Sequence, residues 1–359
     1  MTEDISTADF QSEGAVPKGA APKVVLSGIR ATGRLHLGNL LGPMRHFVTL
    51  SRSPEHLCYF FVADLHSLTT LPEPGLLARY VPEIVLDYLA AGIDPNDNVI
   101  YAQSSVGETC ELAVLLSNLM ILSHLQRCAT FKEKARQQPH NVNAGLFYYP
   151  VLMAADILGP GADLVPVGED QLQHVEMARD LARRYNAQYG TAAGARLVVP
   201  ETLERAAVRI PGLDGGSKMG KSDGNTLNLN DDSEVAWEKL RVAVTDTNRK
   251  RRKDPGDPTK CNIFTLHTYL SSDDEVREVA QGCRSAAIGC FDCKKVLHAN
   301  LMAELTPFQE RRAELASQES LVSDVLCDGA RRVRPVIADS TARVRAAMGI
   351  ESRLSCRTK

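Results

Sequence analysis

Two glycine-rich stretches, 27-SGIRATGRLHLGNLLGPMRHF-47 and 211-PGLDGGSKMGKSDGN-225, carry residue types suited to phosphate chemistry. In the first, Gly28 and Gly33 relax the backbone after a short apolar run, and Gly38 and Gly42 lie where a helix would begin and pack. A helix N-terminus offers unpaired N–H groups and the positive end of its dipole, which suit triphosphate oxygens. His36 and Asn39 can add donors aimed at the same oxygens. On its own such a turn is structural about as often as functional. In the second stretch Lys218 and Lys221, three apart and flanked by Ser217 and Ser222, make a movable cationic clamp for a polyphosphate. Such a loop is more often plain solvated surface, but paired with HLGN upstream it becomes a specific signal.

Two further constellations stand out. Four of the nine cysteines, Cys261, Cys283, Cys290 and Cys293, fall within 33 residues, where even scattering predicts about one. Their spacing, C-x21-C-x6-C-x2-C, directs a tight pair and two more thiolates at one centre. Four sulfurs suit iron–sulfur or zinc equally, and free buried thiols are the plain alternative. The run Asn248-Arg249-Lys250-Arg251-Arg252-Lys253 carries five positive charges. Contact with RNA phosphates is its functional reading and a solvated loop its bland one. Lys132, Lys134 and Arg136 form a weaker second patch.

The elements that must position these residues follow from hydrophobic pattern. Val24–Leu26, Leu57–Val62, Val99–Ala102 and Leu164–Val167 read as strands, while Leu76–Ala91 and Cys110–Leu125 carry apolar residues at helical spacing. That alternation predicts an α/β fold, a Rossmann-like doubly wound parallel sheet with ligands at the carboxyl ends of its strands. From about Glu234 strand signals fade, and 297–316 and 339–352 read as helices. The expected organisation is a disordered leader over 1–22, a catalytic domain over 23–233, an all-helical domain over 234–345 and a tail over 346–359. The chain has 359 residues, 44% hydrophobic, and a net charge of −3, so an RNA partner must meet local basic patches. The polar leader lacks a signal-peptide core, and scattered cysteines suit a reducing cytoplasm.

HLGN resembles the HIGH signature, and KMGKS the KMSKS signature, of class I aminoacyl-tRNA synthetases. With 61-FVADLHSLT-69, 149-YPVLMAADIL-158, 164-LVPVGEDQLQHVEMARDLARRYN-186 and 245-TDT-247, the chain from about Val24 onward is similar to bacterial tryptophanyl-tRNA synthetases. The resemblance implies an ATP and Mg²⁺ site from Arg30, Ala31, Thr32, Gly38 and Asn39, with Gly168, Glu169 and Asp170 across the pocket. Ile210 would touch the adenine region, and Lys218, Met219, Gly220, Lys221 and Ser222 would close over the phosphates.

For L-tryptophan the same resemblance implies Asp156 as acceptor of the indole N–H and Met153, one helical turn earlier, as a thioether against the ring. Val165, Val167, His66 and Gln171 complete the pocket, with Tyr149 near it. Outside that context Asp156 reads as a cap or surface carboxylate and Met153 as core. The cysteine spacing resembles the C-x22-C-x6-C-x2-C array of a subset with a [4Fe–4S] cluster, one residue shorter; Zn²⁺ or free thiols are the alternatives. tRNA(Trp) as partner, anticodon binding by the helical domain over 234–345 that carries the four-cysteine site, and a cytoplasmic homodimer follow from the family. The methionine at 153 tilts the reading away from tyrosyl-tRNA synthetase. A non-activating RNA-binding relative and a tRNA-independent nucleotidyltransferase are the competing classes. Arg30-Ala31 and Gly220 depart from the commoner Gln-Pro and Ser.

Overall fold

The computed structural model describes residues 21–191, 194–204, 210–216, 218–220 and 224–350. The expected leader and most of the expected tail lie outside them. One parallel sheet contains β1 (Lys23–Ile29), β2 (His56–Val62), β3 (Val99–Ala102), β4 (Leu164–Val167) and β5 (Glu201–Glu204), in the order β3-β2-β1-β4-β5. Runs such as 57-LCYFFV-62 are apolar throughout because helices cover both faces of a parallel sheet. Side chains alternate between two cores: Val25 and Phe60 enter one, Leu26 and Phe61 the other. Val25 pairs with Cys58 on one side and Leu164 on the other. The chain therefore steps outward from β1 to β3, then returns beside β1 with β4. Ligands bind at such a reversal point, outside the strands' carboxyl ends.

The doubly wound sheet and the four strands read from sequence are present, as is the helix Leu76–Ala91. β5 escaped the pattern because ETLE is a short edge strand with two acidic residues. The helical spacing over Cys110–Leu125 divides into Glu108–Ser117 and Leu122–Arg127. Between them Asn118 donates to the carbonyls of Val114 and Leu115 at 3.0 and 3.3 Å. Its side chain thereby takes carbonyls that a continuing helix would need.

From Ser233 onward the described elements are all helical, as expected, ending in two 27-residue helices, Cys290–Ala316 and Leu321–Ala347. Both return to the sheet layers. Arg312 on the first bridges Glu83 and Asp87 at 2.6 Å each. The second crosses β3, where Val333 and Ile337 enter the core and Arg332 donates to the Pro95 and Asn98 carbonyls. The crossing depends on Gly329, since a Cβ there would overlap the Ile100 carbonyl oxygen of β3. Gly329→Ala is expected to lower stability by about 3 kcal/mol through overpacking. Thermal unfolding checks this; an unchanged midpoint would mean the helix can ride higher on β3.

Candidate functional site

At the β1–β4 reversal opens a cleft of about 390 Å³. Its walls include Gly28, Arg30, Thr32, Asn39, His66, Lys134, Tyr149, Met153, Asp156, Val165, Val167, Gly168 and Gln171. Gly28 is required where β1 meets Phe61, because a Cβ would stand 2.6 Å from the Phe61 carbonyl oxygen.

On the β1 side, His36 is extended and caps the following turn. Its Nδ1 accepts from Gly38 N–H at 3.1 Å, while its own N–H donates to Asn39 Oδ1 at 3.0 Å. This reciprocal box uses acceptors only, His36 Nδ1 and Asn39 Oδ1, so it does not consume the expected side-chain donors, His36 Nε2–H and the Asn39 amide. His36 Nδ1 is an acceptor spent on the turn, and Asn39 keeps only its amide N–H₂ for the cleft. Ala31 turns away: it is fully buried and its N–H donates to Ser67 Oγ at 2.9 Å.

The lysine loop is joined to this turn. Leu37 N–H donates to Leu227 O at 2.8 Å and Leu229 N–H to Leu35 O at 3.0 Å, around a bridge between His36 and Asn228. Met219 N–H donates to Ile210 O at 2.9 Å, and Ile210 packs beside Gly38. Asn225, buried and absent from the sequence reading, ties the loop. It accepts from Gly220 N–H at 2.9 Å and donates to Asp214 Oδ1 and Lys218 O. Lys218 is exposed beside the cleft; Lys221, Ser222 and Ser217 lie outside the described residues. Across the cleft Gly168 lines the wall, and Glu169 and Asp170 form an exposed turn after β4.

Lys134, expected on an RNA-binding patch, lines this cleft instead. Burial pulls its ammonium below the ordinary lysine range, and the charges of Arg30 and Lys218 add to the effect. Burial likewise lowers Arg30. The Arg30 guanidinium reaches Thr69 Oγ1 only at 3.4 Å, and its buried Nε has no hydrogen-bond partner. Three cations that repel one another around one space are what a polyphosphate would relieve.

The β4 side is polar at one buried point. Asp156, 2% exposed, accepts from Gln103 Nε2 at 3.0 and 2.8 Å on its two oxygens, and stands 2.9 Å from His66 Nε2. Burial raises its carboxyl pKa, while His66 and Gln103 pull it down. Met153, Val165, Val167, Phe61 and Ile157 supply the apolar walls. Gln103, also missed from sequence, has its amide orientation fixed because Oε1 accepts from His66 N–H at 3.2 Å. A glutamine in a short 3₁₀ turn after a strand gave no periodic signal; only its position after VIYA, at a strand's carboxyl end, pointed to it.

Loss of that donor has a signed consequence. A donor to the charged form holds a carboxyl pKa down, so Gln103→Leu moves Asp156 further up. Only the carboxylate is a full acceptor, so affinity for an N–H ligand falls as pH drops through the Asp156 pKa. Gln103→Leu is expected to start that fall at higher pH and to weaken the ligand about tenfold. A pH profile of ligand KM checks it; an unmoved acid limb would contradict the coupling.

Next to this point Tyr149 Oη lies 2.7 Å from His174 Nε2 and 2.8 Å from Thr130 Oγ1, and His174 Nδ1 is 2.9 Å from Gln171 Oε1. Burial drives His174 down to about 4. The neutral ring donates from Nδ1 to Gln171 and accepts at Nε2, so Tyr149 and Gln171 are held in fixed orientations.

Outside the cleft, Cys261, Cys283, Cys290 and Cys293 line one small cavity with Thr245, Ile263, Phe264 and Ile288. Burial pushes the Cys293 thiol up to about 12, and the other three cysteines reinforce the shift. As placed, no three His, Cys, Asp or Glu side chains among the described residues form a group that could hold a metal ion. Arg249 of the basic run folds against this cavity. Its Nη2 donates to the Arg252 and Ile288 carbonyls at 2.7 and 2.8 Å. Four exposed cations, Lys250 to Lys253, remain of the five read from sequence.

Residues 18–306 match the family described as tRNA synthetases class I (W and Y). A tryptophan–tRNA ligase of Porphyromonas gingivalis is 43% identical over 329 residues, covering 91% of this chain and 99% of that protein. One of Thermotoga maritima is 39% identical over 330 residues, covering 91% and 99%. The crystal structure of a Campylobacter jejuni tryptophanyl-tRNA synthetase complexed with ADP and tryptophan superposes with a TM-score of 0.79. It is 30% identical and covers 91% of this chain and 99% of that one.

Proposed function

Because the chain belongs to the class I tryptophanyl-tRNA synthetases, which couple ATP to the charging of tRNA with tryptophan, we propose that its β1–β4 cleft holds both substrates. ATP occupies the β1 side and tryptophan the β4 side. The tryptophan carboxylate attacks the α-phosphorus, the bond to the β-phosphate oxygen breaks, and pyrophosphate leaves. A terminal ribose hydroxyl of tRNA then attacks the adenylate carbonyl and releases AMP. No protein nucleophile is needed; positioning and charge stabilisation carry the reaction.

Arg30, Lys134 and Lys218 meet the phosphates, with Asn39 and the Gly38 turn beside them. Thr32, Gly168, Glu169, Asp170 and Ile210 border the nucleotide. Met219, Gly220, Lys221 and Ser222 complete the closing loop by resemblance. Mg²⁺ would supply further charge neutralisation on the pyrophosphate. Asp156 accepts the indole N–H, Met153, Val165 and Val167 flank the ring, and His66 and Gln103 hold the carboxylate. Tyr149 and Gln171 border the amino-acid end.

The observation that carries this reading is one buried, pre-oriented carboxylate in an apolar wall. Indole has a single N–H, and a site built to pair it rejects rings that lack it. Tryptophan-dependent ATP–pyrophosphate exchange, measured with and without tRNA, tests the assignment. Exchange with tryptophan and none with tyrosine is expected; tyrosine-dependent exchange would refute it.

All four cysteines share one cavity, which favours a second reading. The four sulfurs would be the ligands of a structural [4Fe–4S] cluster or Zn²⁺, the group the spacing resembles, although as placed they do not form a metal-holding group. The cluster would brace the start of the Cys290–Ala316 helix against the basic turn, without redox catalysis. Iron, sulfide and zinc analysis of anaerobically purified protein decides between them. A two-fold dimer is the assembly that the resemblance to the family implies. No helix among the described residues is long and apolar enough to cross a membrane.

A further inference from the structure

We propose that Phe291, Trp237 and Lys295 form a stacking platform for an unpaired nucleobase of tRNA, with Arg252 receiving the neighbouring phosphate. The proposal rests on the charging activity above and adds to it a place where RNA is gripped.

Phe291, in the first turn of the helix Cys290–Ala316, is 50% exposed, whereas Leu297, Leu301, Leu305 and Phe308 of the same helix are buried. Its ring meets Trp237, the chain's single tryptophan, edge to face at 5.3 Å, and the ammonium of Lys295 lies 4.8 Å from its centroid. His298 adds a third ring, 5.6 Å from Trp237. Phe291, Lys295 and His298 recur at helical spacing, so one face of the Cys290–Ala316 helix carries the cluster. Trp237 reaches it from the helix Ser233–Val242 packed alongside.

An aromatic patch of this kind admits two occupants, a protein surface or a base. Charge decides for the base. Arg252 reaches across the same helix start: its Nη2 stands 3.7 Å from Asp292, both side chains exposed. Lys250, Arg251 and Lys253 are exposed beside it. Exposed aromatics next to a cationic stripe are the arrangement by which proteins hold single-stranded nucleic acid, rings stacking on bases and cations tracking the backbone. Arg249, by contrast, is committed to the Arg252 and Ile288 carbonyls and holds the turn in place.

Phe291→Ala should raise the aminoacylation KM for tRNA about tenfold, since one base–ring contact is lost. Pyrophosphate exchange without tRNA and kcat should stay as in the parent, because Phe291 is not among the residues that line the cleft. Phe291→Tyr should restore the KM. Arg252→Gln should lower the slope of log KM against log salt by about one, whereas Phe291→Ala leaves the slope unchanged. An unchanged tRNA KM in Phe291→Ala overturns the proposal and returns the patch to a protein partner. Loss of exchange in the same variant, or failure of Phe291→Tyr to rescue, also overturns it by revealing a structural role. A wrong charging assignment would show separately, as absent charging by the parent enzyme.

Discussion

Asp156→Ala is expected to raise the KM for tryptophan about 100-fold, the scale of losing a charged acceptor together with its selectivity. The KM for ATP should barely move, because the phosphate cations are on the other wall of the cleft. The effect is large because of what is left behind. Asp156 is buried among apolar side chains and already engages Gln103 and His66. Without it, those two donors and the indole N–H all lose their acceptor in a site water enters poorly. Asp156→Asn keeps the shape and one acceptor oxygen, so its loss should be intermediate. Steady-state exchange kinetics checks both variants, and an unaffected tryptophan KM in Asp156→Ala would refute the pocket.

The second large effect concerns the phosphates. Lys134→Ala and Lys218→Ala should each reduce kcat for adenylate formation by about 100-fold, the usual cost of one charge-stabilising donor. The tryptophan KM should change little. The two lysines already sense each other's charge, with Arg30 beside them. Cations that face one leaving pyrophosphate act as a unit, so the double variant should lose less than the product of the single losses. Strict additivity would place the two lysines on separate features.

The parallel sheet was legible because its inner strands are largely apolar and the helix Leu76–Ala91, which crosses from β2 to β3, is long and amphipathic. The lysine loop and HLGN were legible as types of residue, but not their joining. That depends on two main-chain hydrogen bonds between 35–37 and 227–229, in segments with no distinguishing pattern. Asp156 was visible as a misplaced charge, whereas Gln103 and Asn225 were not, since a neutral amide in a turn is common and its partners are remote in sequence. Lys134 and Arg249 were misplaced for a related reason. Sequence shows how many charges a segment carries, but backbone geometry decides which of them turn inward. The break at Asn118 was hidden because hydrophobic spacing continues across it.

The claim that underlies the rest is that one cleft binds indole and nucleotide together, between the HLGN turn and Asp156. A crystal structure with a non-hydrolysable tryptophanyl-adenylate analogue tests it most directly. The account predicts the indole nitrogen within hydrogen-bond distance of the Asp156 carboxylate, with the phosphate-mimicking group beside Asn39 and Arg30. An analogue bound with its ring away from Asp156, or with its linker outside the β1–β4 cleft, would contradict it.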